Sequence, residues 1–486
     1  MSRVRKYVAK DMKAVLALAC ALAATTALMA APALAKPGGK PSSAGQLDRS
    51  FSKDGKLLLA FPPEGDAGVG VKYTLPFQFN AGHLAMAPSP GGKTVVAGST
   101  RIVRVLANGK LDRSFGSGGK VIVQRPPGMS FVLADVAVDS QGRVLLAGTA
   151  RPLPTSSTPD PLLSSAAVMR FNADGSVDRS FGKEGVLVTT FGIKPPQVPT
   201  GHYSGAAVGI KSLAVDGQDR PVLTGAAVIK ASFCSPTSTV TNGFVARLTS
   251  SGALDPSFDG DGLREITELG AFGEGNVLGS GGVLAVGTAK SGCEYTNGGP
   301  SVLLTEFGPD GSLRPGFGNA GFRAVGFGSA PVAALTPAGK ILLLGSKSGK
   351  SQLVERLTRS GGLDPSFGRT GRVYVTSPKN VAFTAIGVDR QERILLAGHA
   401  TKRLHGKHNK GIPRSSFVLS RMKAKGTFDR TFGHKGSART GFGGPSSASA
   451  TQLYVDAKGR ITVGGNVVSG LLGTGSGFAL ARYLSK

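Results

Sequence analysis

Beyond its first 35 residues the chain is a succession of short apolar runs separated by turns, with no helical period. One stretch shows the scheme. Leu133-Ala-Asp-Val-Ala-Val138 is apolar and β-branched, Asp139-Ser-Gln-Gly142 reads as a tight turn, and Arg143-Val-Leu-Leu-Ala147 reads as a second strand closed by Gly148. After a Pro/Ser/Thr-rich segment comes Ala166–Phe171, and after a Gly-containing turn comes Val186–Thr190. Such runs, bounded by Gly, Asp, Asn and Pro, predict four strands.

The scheme repeats. The stretch GQLDRSFSKDG at 45–55 returns at 108–119, 174–185, 251–262, 310–321, 360–371 and 425–436, with its central Phe at 51, 115, 181, 258, 317, 367 and 432. Seven copies of a four-stranded antiparallel unit predict an all-β, seven-bladed β-propeller. A β-solenoid is the alternative, but it needs shorter and more even rungs. If the Val136-type strand is innermost (a), followed by the Arg143 (b), Met169 (c) and Val186 (d) types, the chain begins with an orphan d strand, Lys56–Ala60. It ends with an a-b-c set at Leu453–Val455, Arg460–Val463 and Phe478–Tyr483. The last blade is then closed by the N-terminal strand, Lys486 falls beside Gly45, and Lys56–Ala60 pairs with Phe478–Tyr483.

A second regularity runs through the copies. Arg104, Arg170, Arg247, Arg356 and Arg421 each stand eight residues before Asp112, Asp178, Asp255, Asp364 and Asp429. In blade 4 the signs are exchanged, with Glu306 at the Arg place and Arg314 at the Asp place. An exchange that keeps one charge of each sign is what a structural ion pair within the blade requires. Ring closure predicts a seventh pair, Arg482–Asp48. The repeated Phe is expected to plug the space between neighbouring blades.

These residues resemble the delta-60 repeat family, whose signature is close to DG-x-LD-x-SFG-x-x-G-x-V. The resemblance covers residues 45–486 and departs in blade 4, where Leu313-Arg314-Pro315-Gly316-Phe317 lacks the Asp and Ser. It implies a large bacterial secreted or surface protein and brings no catalytic motif.

Residues 1–13 hold five bases against one acid, and an Ala-rich apolar run from Ala14 ends in Ala33-Leu34-Ala35. This reads as a signal peptide over 1–35, a short linker over 36–44 and one propeller over 45–486. An uncleaved membrane anchor and a lipoprotein with Cys20 are the alternatives, and no transmembrane span is expected after cleavage. The reading places the protein outside the cell or on its surface. Of three cysteines in the chain, Cys234 and Cys293 remain. Both fall in b–c connections of adjacent blades, and a disulfide between them is expected in an oxidising compartment.

Charge and composition narrow the function. The net charge is +28 and there is no Trp, and Tyr is scarce, which leaves few stacking platforms for specific nucleic-acid binding. Asp255, Asp259 and Asp261 have acid spacing alone in common with a calcium loop. The His residues show no HExxH, no G-x-S-x-G occurs, and the Gly-rich turns lack a phosphate-loop Lys. No catalytic residue, metal ligand or cofactor is expected, and a monomer is. The a–b and c–d turns are nearly constant, whereas the b–c and d–a connections vary in length and content. Variable loops on a rigid scaffold are where binding usually resides. The b–c loop of blade 6, over 401–414, carries Lys402, Arg403, Lys407, Lys410 and Arg414 with His405 and His408, and no acid. It suits an anionic cell-envelope polymer or an acidic protein. The leading expectation is a partner-binding scaffold. The alternative is an enzyme using the central channel, such as a lyase or a metal-dependent hydrolase.

Overall fold

The computed structural model describes residues 44–60, 84–153, 164–193, 207–231, 239–266, 269–277, 281–289, 302–327, 331–346, 351–375, 380–403, 413–443, 446–469 and 475–486. They form seven four-stranded sheets, every pairing antiparallel, in a seven-bladed β-propeller with almost no helix. The seventh sheet takes its outer strand from the start of the chain. Lys56–Ala60 lies along the last strand, Gly475–Tyr483, with Lys56 opposite Ala481 and Leu59 opposite Phe478. Gly45 donates its N–H to the Leu484 carbonyl at 2.8 Å, so the two ends of the propeller chain meet.

The inner strands are longer than the apolar runs suggest. In blade 2 the inner strand is Met129–Val138, with a break in register between Leu133 and Asp135. The corresponding break recurs at Ile210/Ser212, Phe383/Ala385 and Ala450/Gln452. A bulge adds one residue on one strand and interrupts the alternation by which strands are recognised.

Hydrophobic cores fill the seams between blades, which bury both faces of each sheet. Phe181 of blade 2, for example, packs with Phe191, Leu223 and Phe244 at the boundary with blade 3. The repeated motif ties these seams. Arg170 donates from Nε to Asp178 Oδ2 at 2.7 Å and from Nη2 to Ser180 Oγ at 3.2 Å, and its Nη1 reaches the Ser250 carbonyl of blade 3. Its guanidinium carbon lies 4.7 Å from the centre of the Phe181 ring. Asp178 Oδ1 accepts from the Ser180 N–H and hydroxyl, fixing the turn that delivers the Phe. Asp, Ser and Phe of the motif are thus three walls around one arginine.

The same set occurs at six of the seven seams, and in each the arginine reaches a backbone carbonyl of the next blade. The arginine is therefore more than half of a pair within its own blade. The residue after the Phe adds a second tie. Its N–H donates to the next blade at all seven seams, as in Gly116 to Asp174 O at 2.6 Å and Gly433 to Ala44 O at 2.7 Å. Gly116 sits at φ 54°, and a Cβ there would lie 2.2 Å from the Lys120 carbonyl oxygen, which is why glycine dominates the place.

Candidate functional site

The seven expected ion pairs are all present in the structure. Nitrogen–oxygen distances are 2.7 Å for Arg104–Asp112 and Arg170–Asp178, and 2.8 Å for Arg247–Asp255, Arg356–Asp364, Arg421–Asp429 and Arg482–Asp48. Glu306–Arg314 is looser, at 3.5 Å. Burial alone would push the Asp178 carboxyl up, but the Ser180 hydroxyl and N–H and the Arg170 charge outweigh it and hold the group below the usual carboxylate range. Asp48, Asp255 and Asp429 are held low in the same way. Asp112 and Asp364 also gain Lys93 and Lys340 at 2.8 Å.

A further set escaped the sequence reading. Arg143, Arg220, Arg393 and Arg460 at the start of the b strands pair with Asp139, Asp216, Asp389 and Asp456 four residues earlier. Where that Asp is Ser89 or Thr336, the base is a lysine that reaches the Asp of the Phe motif instead. The spacing Asp-x-x-x-Arg was visible in the sequence and would have found it. The three acids with calcium-like spacing are engaged apart from one another. Asp255 holds Arg247 and Arg220, Asp259 holds Arg264 at 3.1 Å, and Asp261 accepts the Leu263 N–H at 2.9 Å. Among the described residues no group of three His, Cys, Asp or Glu is close enough to hold a metal ion.

The inner strands of blades 1, 5, 6 and 7, at Ala85–Ser89, Val332–Leu335, Val381–Val388 and Ser446–Val455, line an open cavity of about 210 Å³. Its wall includes Met86, Val332, Ile386 and Leu453, with polar atoms from Thr451, Gln452 and Tyr454. Gln452 Oε1 accepts the Met86 N–H at 2.6 Å, and Tyr454 Oη lies 2.6 Å from Thr94 Oγ1. Burial pushes the Tyr454 hydroxyl above its ordinary value, against the Thr94 and Thr462 hydrogen bonds. The Thr451 hydroxyl is buried without a partner among the described residues. The wall holds no carboxylate, imidazole or amine, so it can seat a small amphipathic molecule but has no group that exchanges a proton near neutrality.

In the blade 6 loop, Lys402 and Arg414 are directly opposed in the ladder between Ile394–Arg403 and Pro413–Met422, and Arg403 faces Pro413. His405, Lys407, His408 and Lys410 lie outside the described residues, as do Cys234 and Cys293 with their expected disulfide and the whole of 1–43. Among the described residues no helix is long and apolar enough to cross a membrane.

The sequence model of a family described as a domain of unknown function (DUF5122) beta-propeller matches residues 90–115, 164–181 and 235–258. The three matches end on Phe115, Phe181 and Phe258, the seam residues of blades 1, 2 and 3. No curated protein matches the sequence. Similar solved structures include a polysaccharide lyase, Uly1, with TM-score 0.45 and 8% identity over 89% of this chain and 99% of that one. The PQQ-bound aldose sugar dehydrogenase of Streptomyces coelicolor gives TM-score 0.34 and 13% identity over 82% and 93% of the two chains. A mannose phosphorylase from Leishmania mexicana gives 0.29 and 7% over 60% and 86%. With the seven sheets of the fold, the family match makes the chain a β-propeller repeat protein.

Proposed function

We propose that the protein is a secreted or surface-associated propeller of the delta-60 kind. In this reading it serves as a scaffold that binds an anionic polymer or acidic partner through the variable connections at one end of its blades. The observation that carries the reading is the Lys402–Arg414 pair. Like charges directly opposite in an antiparallel ladder are destabilising. Here they stand at the stem of a loop holding three further Lys/Arg and no acid. A bound anion between them would offset the repulsion that the fold otherwise carries.

The two ends of the blades support the same division. The c–d connections 106–119, 172–185, 308–321, 358–371 and 423–436 have one length, whereas the b–c connections run from 98–100 to 153–164. Buried carboxylates of the constant end are committed to arginines of the seams or of the b strands. The cavity lined by the inner strands of blades 1, 5, 6 and 7 offers positioning groups without acid–base ones.

The test is retention on immobilised heparin at low and high salt. Neutralising Lys402, Arg403, Lys407 and Lys410 together should shift elution to clearly lower salt. Elution at the wild-type salt concentration would rule the loop out.

A further inference from the structure

We propose a second polyanion-binding surface at the opposite, constant end of the propeller, an arc across blades 6, 7 and 1 that takes a linear carboxylate- or phosphate-bearing polymer. The proposal goes beyond the loop reading and uses none of its residues.

The place after the motif Asp is arginine in four copies, Arg430, Arg49, Arg113 and Arg179, and proline in the other three, Pro256, Pro315 and Pro365. The four arginines belong to consecutive blades 6, 7, 1 and 2, and the three prolines to consecutive blades 3, 4 and 5. Each arginine follows an Asp whose Oδ1 accepts the N–H two residues on, so the backbone under it is the same turn every time. All four are exposed.

Contiguity follows from the seam hydrogen bonds. Gly433, three residues after Arg430, donates to Ala44 O. Ser52, three after Arg49, donates to Asn108 O at 2.8 Å, and Gly116, three after Arg113, donates to Asp174 O. The c–d connections of blades 6, 7, 1 and 2 are therefore stitched edge to edge.

Further exposed bases sit on the same connections: Lys423, Lys425 and Lys435 in blade 6, Lys53 in blade 7 and Lys110 in blade 1; the one exposed acid among them, Asp54 of blade 7, pairs with Lys56. Among the described residues none of these exposed bases, nor Arg430, Arg49 or Arg113, is in an ion pair. The arc ends in blade 2, where Glu184 lies 3.4 Å from Arg179. The same connections turn acidic in blades 3 and 4, with Asp261 and Asp310 exposed, whereas blade 5, beside blade 6, again exposes bases alone, Arg359 and Arg369.

A solubilising charge would be scattered, whereas this one is graded around the ring. A single small anion meets one blade's bases. A linear polymer lying along the arc meets three blades' bases in succession, and each further contact is intramolecular.

The experiment titrates purified protein with polygalacturonate and with polyphosphate, each as short and long chains, at low and high salt. The variant Arg49→Glu/Arg113→Glu/Arg430→Glu is compared with Lys402→Glu/Lys407→Glu/Lys410→Glu, which changes net charge equally. Thermal unfolding checks that both fold. Wild type should bind long chains more tightly than short ones. The arc variant should lose at least about tenfold in affinity for long chains and most of the length dependence, while the loop variant keeps the length dependence. The polymer that shows this behaviour identifies carboxylate or phosphate as the ligand chemistry. Equal weakening by both variants, or an arc variant that binds like wild type, overturns the arc and leaves the loop reading standing. Failure of wild type to bind either polymer overturns both.

Discussion

Blade 4 and the other six blades close the same seam with opposite charge orders. In the six, a buried arginine meets an aspartate, a Ser or Thr turn, a Phe ring and a carbonyl of the next blade. In blade 4 the strand carries Glu306, which cannot donate to a carbonyl. Arg314 is at 3.5 Å, its side chain 40% exposed, against 1–5% for the six arginines. Burial pushes the Glu306 carboxyl above its ordinary value, and Arg314 and Arg359 offset this only in part.

Arg359 explains how the exchange is tolerated. The six carbonyls that receive a seam arginine belong to Ala107, Ala173, Ser250, Pro309, Ala424 and Ser485, all small and uncharged. The matching residue facing Glu306 is Arg359. A repeat can thus reverse a buried charge when the next repeat supplies the counter-charge, at the cost of one interblade hydrogen bond. The same seam leaves Arg323 Nε and Glu355 Oε2 buried without partners among the described residues. The blade 4–5 seam should be the weakest of those described.

The largest effect comes from breaking a regular seam. Arg247→Met leaves Asp255 with Arg220 alone and removes the bond to Pro309 O, and should cost about 3–5 kcal/mol. Glu306→Gln, at the corresponding place, should cost about 1 kcal/mol or less, because its pair with Arg314 is loose and partly solvated. Denaturant midpoints of the two variants measure the contrast. Equal losses would mean that the six seams owe nothing special to their arginine.

Next comes conversion of blade 4 into a regular blade. Glu306→Arg sets a third cation against Arg314 and Arg359 and should destabilise by about 2–4 kcal/mol. Adding Arg314→Asp should recover part of this, and adding Arg359→Ala should recover the rest by clearing the carbonyl for the new arginine. If the triple variant is no better than the single, the compensation argument is wrong.

Most of the fold was legible because seven copies average out local ambiguity. The Phe and Arg–Asp spacings recur whatever the loops do, and the incomplete copies at the two ends gave the closure of Lys56–Ala60 onto the last strand. The bulged inner strands were cut short because an extra residue, such as Ala134, breaks the two-residue alternation. The reach of each arginine into the next blade was invisible for a different reason. Its acceptor is a backbone carbonyl some sixty or more residues away, as in Arg170 to Ser250, and a carbonyl leaves no residue type to read. The channel cavity was hidden likewise, since Met86, Val332, Ile386 and Leu453 come from four blades and look like ordinary strand residues.

The smallest predicted effect concerns the inner end of the seams, where a neutral and a charged residue do one job. Gln452 accepts the Met86 N–H at the seam of blades 7 and 1, and Asp135 accepts the Leu213 N–H at 3.0 Å at the seam of blades 2 and 3. Burial drives the Asp135 carboxyl up to about 6, against the N–H groups of Leu213 and Val136 and the Ser212 hydroxyl. The folded value lies above the ordinary 3.8, so between these pH values the folded protein holds a proton that the unfolded chain has released. Stability from this group therefore rises as pH falls from 6 towards 4, and at neutral pH ionised Asp135 costs on the order of 3 kcal/mol. The seam aspartates are held low and act oppositely, losing their contribution as pH falls below their ordinary value. Stability should peak between about pH 4 and 6. Asp135→Asn removes the buried charge but adds amide donors that need partners, costing about 1–3 kcal/mol. The net change at pH 7 should be only about 1 kcal/mol, while the slope between pH 4 and 6 disappears. Gln452→Glu should do the reverse and create such a slope at the other seam. Unfolding midpoints taken across pH 4–8 decide the matter: an unchanged slope in Asp135→Asn would show that the pH dependence arises elsewhere.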